Sequence, residues 1–231
     1  MSPIKETNFF ALEGEDPRER KGDVDQMFHY PWSITNYIDY LNLFAPANSA
    51  KAIGEVSPMY LYSKKAAQNI YEKLPQAKLI AVLRQPVDRL YSRFLHLARE
   101  NRTPTPRFDD ALDRDYIWWK RNDLVQEGFY NRHLQNYYKL FPKEQIKIVL
   151  YDDFRADPVN VLKDIYAFIG VDSSYVPKQQ AEFNKSGIII NKTYDKLIGQ
   201  NSLIKQWMFK VTPGLLQLIT RNDKAKAWIN R

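Results

Sequence analysis

Lys78–Arg99, KLIAVLRQPVDRLYSRFLHLAR, decides how this chain is read. Its first part, Lys78–Leu83, is a short apolar run of the kind that forms a buried strand. Pro86 suits the first position of a helix, where its fixed φ is preorganised and its missing N–H costs nothing. The spacing predicts a helix over 86–100. On that helix Asp88, Ser92, His96 and Arg99 share one polar stripe. Val87, Leu90, Tyr91, Phe94 and Ala98 share another face, expected to be core. Arg84 closes the strand. A guanidinium and a hydroxyl beside a helix N-terminus suit a phosphate, which Arg can grip with two parallel hydrogen bonds and Ser with a third. The same residues also allow an ordinary surface reading, in which Arg84 pairs with Asp88 and Ser92 only meets solvent.

Working outward, Lys51–Val56 (KAIGEV) and Gln145–Tyr151 (QIKIVLY) are similar apolar runs and are predicted as strands. Between them lie helical patterns: Ala66, Ile70 and Leu74 at helical spacing, then 128–141. After the last run comes 157–169, with Val159, Leu162, Ile165 and Phe168 on one face. Helices are also expected over 33–43 and 193–210. Strands alternating with helices predict a parallel sheet covered by helices, with ligands bound beyond the carboxyl ends of the strands. Arg84 stands at such an end.

The 231 residues contain no linker-like tract and no repeat, so one domain over 1–231 is expected. There is no cysteine, which excludes disulfides and thiolate chemistry and fits a reducing, cytoplasmic setting. Three histidines, His29, His96 and His133, form no close pair, so no metal site is expected. No apolar run reaches the length of a membrane span. The net charge is +7, and residues 201–231 carry six basic side chains against Asp223 alone. Such a tail favours anionic partners. No specific nucleic-acid motif accompanies it, and a solvated tail packing on the domain is an equal reading.

The strand–turn–helix, with Pro86 and Arg89 between Arg84 and Ser92, resembles the 3′-phosphate-binding segment of sulfotransferases that use 3′-phosphoadenosine 5′-phosphosulfate (PAPS). GEVSPMYLYS (Gly54–Ser63), GFYNRHLQNYYKLFPKEQIKIVLYDDF (Gly128–Phe154) and ADPVNVLKDIYAFIGV (Ala156–Val171) extend the resemblance, in order, toward bacterial and heparan sulfate sulfotransferases. The resemblance implies an α/β fold with a P-loop-NTPase-like parallel sheet and a helical C-terminal region. It also implies PAPS as donor, PAP as product and no metal. Arg84 and Ser92 would hold the 3′-phosphate.

In IKETNFF (Ile4–Phe10) the resemblance assigns Glu6 as the catalytic base, with Asn8 where a histidine is common. His96 matches an active-site histidine of the N-sulfotransferase domains. FNKSG (Phe183–Gly187) is similar to the loop that closes over the 3′-phosphate, so Lys185, Ser186 and Gly187 are expected to bind the donor. That loop usually has a basic residue directly before its glycine, where this chain has Ser186. Val56 stands where heparan O-sulfotransferases have a lysine.

The family's 5′-phosphosulfate loop, a PKSGTT-like turn, has no counterpart in the sequence. The chain is therefore expected to be an N-terminally truncated form, with lowered stability or self-association. Two functions follow as expectations: sulfuryl transfer from PAPS to a hydroxyl or amine of a small-molecule or glycan acceptor, or an inactive domain that binds an anion or a partner protein.

Overall fold

In the computed structural model, residues 2–16, 33–47, 49–99, 102–121 and 124–177 are described. They fall in two units: residues 1–91 with 107–181, and residues 92–106 with 182–231. The expected sites Lys185, Ser186 and Gly187, and the helical tail over 191–231, lie outside the described residues.

The first unit contains a two-stranded parallel sheet, β1 (Leu79–Leu83) beside β2 (Ile146–Leu150), with Leu83 opposite Leu150. The side chain of Gln145 sets the register at the other end. Its Nε2 donates to the carbonyls of Pro75 (3.0 Å) and Ala77 (2.9 Å), tying the start of β2 to the start of β1. The connection between the strands carries helix α5 (Pro86–Arg99), α6 (Ile117–Lys120) and α7 (Tyr130–Tyr138). A parallel pair requires such a crossover, so the α/β expectation holds.

After β2 come the short helix α8 (Tyr151–Ala156) and α9 (Pro158–Ile169), and α9 shows why its sequence starts and stops where it does. Asp157 accepts from the Asn160 amide at 3.1 Å, Pro158 occupies the first turn, and Gly170 ends the helix at φ 81°. The lysines Lys78 and Lys147 lie against the Phe168 ring, 5.5 and 6.0 Å from its centroid.

The main core sits where the short helices α1 (Phe9–Leu12), α2 (Tyr37–Asn42), α3 (Met59–Tyr62) and α4 (Ala66–Lys73) meet α7. Phe9 is fully buried and stacks on Tyr40 with ring centroids 4.4 Å apart. Phe10 meets Tyr40 and Tyr60 edge-on. Ala66 and Ile70 of α4 are buried as their spacing predicts, whereas Leu74 follows the helix and is exposed.

Two expectations are corrected. Lys51–Val56 is not a strand: among the described residues its one backbone–backbone bond runs from the Ser2 amide to the Gly54 carbonyl at 2.9 Å, and a strand needs a ladder. The buried stripe of α5 matches the expected one only in part, with Leu90, Phe94 and Ala98 half-buried. Val87 is 60% exposed and Tyr91 46%, while Leu97 is fully buried. The reason lies at Arg89. Its guanidinium is drawn inward by a 2.9 Å ion pair with Glu127 and by the Leu124 carbonyl, turning the helix edge at 87 outward. His133 is buried, with Nε2 donating to the Gln126 carbonyl at 2.8 Å.

The second unit, in its described part, holds α5 from Ser92 onward. Arg102 donates its amide to the Leu97 carbonyl at 2.8 Å, and Thr103 Oγ1 donates to the Thr105 carbonyl at 2.6 Å.

Two outcomes follow. Phe9→Ala removes a fully buried ring and is expected to lower stability by about 3–5 kcal/mol in urea unfolding. The Asp157 carboxyl is held below the usual aspartate range by the Asn160 amide and side chain. Its contribution is therefore complete above the unfolded value and lost as pH falls through the folded one. The melting difference between wild type and Asp157→Ala is expected to shrink on acidification; a constant difference contradicts the cap.

Candidate active site

The N-terminal segment takes its shape from three consecutive residues. Glu6 and Asn8 both have left-handed backbones, at φ 56° and 55°. Neither is glycine, and such a conformation costs of order 1–3 kcal/mol for an ordinary residue. Thr7 between them is fully buried, whereas the Glu6 side chain is 28% exposed. The turn points the hydroxyl inward and leaves the carboxylate accessible.

The inward side is organised by Glu55. One carboxylate oxygen accepts from Tyr60 (2.6 Å) and Tyr40 (2.9 Å), and the other accepts from Thr7 and Ser57 (3.1 Å). Burial first, and then the Glu55 charge, push both tyrosines above their ordinary value, so they remain donors at any physiological pH. Ser57 Oγ in turn accepts from the Asn8 amide at 3.1 Å, and Asn8 Nδ2 donates to Ser33 Oγ at 3.1 Å. The Thr7 carbonyl accepts from Ile34 N at 2.9 Å. Asn8, where the resemblance expects a histidine, is thus a buried structural residue. Lys5 is 79% exposed and lies 3.7 Å from Glu6. Val56 is 54% exposed, so its side chain leaves the hub.

At the strand end, Arg84 is held from two sides. Tyr130 OH donates to its carbonyl at 2.8 Å, and its guanidinium lies 5.4 Å from the Tyr151 ring centroid. Because Leu83 and Leu150 are register partners, Arg84 and Tyr151 are the next residues past the paired ends. The alternative surface reading, an ion pair between Arg84 and Asp88, does not form: among the described residues no carboxylate pairs with Arg84.

The helix terminus contributes less than the sequence suggests. Gln85 Oε1 accepts the Asp88 amide at 2.8 Å, and Pro86 has no N–H. The terminus is therefore partly capped by its own chain, and the grip on an anion falls to side chains.

Ser92 and His96 lie on α5 in the second unit, both half-buried. Arg99 Nη2 donates to His96 Nδ1 at 3.0 Å. Arginine has no acceptor, so the proton of a neutral His96 sits on Nε2. Glu6 and Arg84 are not joined by any hydrogen bond or ion pair. No group of carboxylates and histidines suited to a metal ion occurs among the described residues.

The hub of Glu55, Thr7, Tyr40 and Tyr60 was not singled out as functional from the sequence. Its signal was available: a glutamate beside Ser57 and Tyr60 in a stretch otherwise poor in charge. The partners Thr7 and Tyr40 are distant in sequence, and only folding brings them in.

Three comparisons bear on these arrangements. The sequence profile described as the sulfotransferase domain matches residues 7–212. A heparan sulfate N-deacetylase/N-sulfotransferase 4 of Mus musculus is 26% identical over 155 residues, covering 64% of this chain and 18% of that protein. The human N-deacetylase/N-sulfotransferase 3 is 27% identical over 161 residues, again covering 64% and 18%. The chain thus spans about a fifth of the length of these bifunctional relatives. A solved sulfotransferase from Alicyclobacillus acidocaldarius superposes with a TM-score of 0.64 at 30% identity, covering 80% of this chain and 75% of that one. With the profile match running through most of its length, the chain belongs to the sulfotransferase family.

Proposed function

We propose that this chain transfers a sulfuryl group from PAPS to a hydroxyl or amine, on a sheet of the P-loop type. The observation that carries the reading is Arg84: a guanidinium at the end of a parallel strand, backed by Tyr151, with no carboxylate partner among the described residues. That chemistry fits the 3′-phosphate of the donor. Two parallel N–H bonds to one phosphate also fix orientation, which a point charge does less well.

The family resemblance assigns Ser92 a further hydrogen bond to the donor's 3′-phosphate. Lys185, Ser186 and Gly187 complete the donor site. Bound PAPS would supply the electrophilic sulfur, forming an S–O or S–N bond to the acceptor and releasing PAP. Glu6 takes the acceptor's proton. Its partial exposure lets an acceptor reach it, and the buried Thr7 beside it keeps its backbone in place. His96, with its proton on Nε2, donates to the reacting group. Positioning and charge stabilisation supply most of the rate, and no metal takes part. The acceptor is a glycan or small molecule. The N-sulfotransferase names of the relatives favour a glycan amine as the first acceptor to try.

The test is transfer of radiolabel from [35S]PAPS to de-N-sulfated heparin by the full chain. Glu6→Gln is expected to lower kcat by about 100-fold or more while PAP still binds. Retained PAP binding without any transfer would instead leave an anion-binding domain. In calorimetric titration Arg84→Lys is expected to weaken PAP about tenfold or more, and unchanged affinity would remove Arg84 from the donor site.

A further inference from the structure

The geometry points to Glu55 as a positioning residue that aims Glu6 by holding Thr7. The inference rests on the reading of Glu6 as the base, and it extends that reading to a carboxylate that never meets substrate.

Thr7 is locked at two of its atoms and at the amide after it. Its hydroxyl donates to Glu55 and lies 3.1 Å from Tyr60 OH, its carbonyl accepts from Ile34, and the amide that follows donates to Ser57. Ser57 is itself a donor to Glu55. Both faces of the turn are therefore tied to one carboxylate, one through Thr7 and one through Ser57. These ties fall at Thr7 and at the Asn8 amide, between the Cα atoms of the two left-handed residues. An unusual backbone conformation persists only where its surroundings over-determine it, and Glu55 is the group common to those surroundings.

Tyr40 and Tyr60 satisfy the opposite oxygen, so the carboxylate cannot rotate without breaking two short bonds. A neutral amide at position 55 keeps one acceptor oxygen but faces two hydroxyls with N–H donors. Whichever way the amide turns, two of the four hydroxyls lose their acceptor, and the Glu6 backbone loses part of the restraint that opposes relaxation to negative φ.

The experiment compares wild type, Glu55→Gln, Thr7→Val and Thr7→Ser as full chains, by transfer kinetics with [35S]PAPS and de-N-sulfated heparin and by amide hydrogen exchange. Glu55→Gln and Thr7→Val are expected to lower kcat by about 100-fold, with KM for PAPS and affinity for PAP within about twofold of wild type. Thr7→Ser, which keeps the hydroxyl, is expected to retain wild-type kcat. Exchange at Asn8 and Ile34 is expected to rise about tenfold in the two damaging variants, with β2 amides unchanged. Unaltered kcat, or loss in Thr7→Ser equal to that in Thr7→Val, overturns the inference. If wild type transfers nothing, the proposed reaction fails by that result alone. Exchange then decides the positioning: unaltered exchange at Asn8 and Ile34 overturns it, and faster exchange confined to them upholds it.

Discussion

One carboxylate receiving four hydroxyl hydrogen bonds is the constraint from which the N-terminal half of this structure follows. Glu55 gathers its near neighbours Ser57 and Tyr60 together with Thr7 and Tyr40, which come from two other stretches of chain. A partly buried charge is costly unless its lone pairs are filled, and here each oxygen has two donors. Two of those donors are aromatic rings that also form the core around Phe9 and Phe10. The polar hub and the apolar core are thus built from the same side chains. Tyr137 extends the arrangement to α7 by donating to the Tyr60 carbonyl at 2.6 Å. Disturbing the hub would therefore be felt both as lost hydrogen bonds and as loosened aromatic packing.

The other half of the described fold depends on a parallel strand pair. Parallel strands end at the same side of the sheet, so the residues that follow them are neighbours. This places Arg84 beside Tyr151 with no long-range device beyond the register. The ring face attracts the cation without neutralising it, in contrast to a carboxylate. Nearby Arg89 shows the alternative fate: it is spent on Glu127 and a backbone carbonyl and serves the packing of α5. Two arginines five residues apart thus differ in their surroundings: Arg89 meets an acidic partner, and Arg84, among the described residues, meets none.

Much of this was legible in the sequence. The apolar runs 78–83 and 145–151 and the Pro86 start located β1, β2 and α5, because strand and helix periods differ and proline marks a helix entry. Arg84 was placed correctly at a strand end. Lys51–Val56 was misread because an apolar run carries no information about whether a ladder partner exists. The face of α5 was misread in part because Arg89 scores as polar in any pattern, yet its partner Glu127 draws it inward. The Glu55 hub joins residues as far apart as Thr7 and Tyr60, and pairings of that range are invisible to periodicity.

The central claim is that Arg84 belongs to a site for the 3′-phosphate of an adenosine nucleotide. Calorimetric titration of the full chain with PAP and with 5′-AMP tests it most directly, since the two differ by that phosphate alone. The account predicts that PAP binds tighter by about tenfold or more, the worth of a charge-assisted bidentate contact. Equal affinity for the two nucleotides would contradict it.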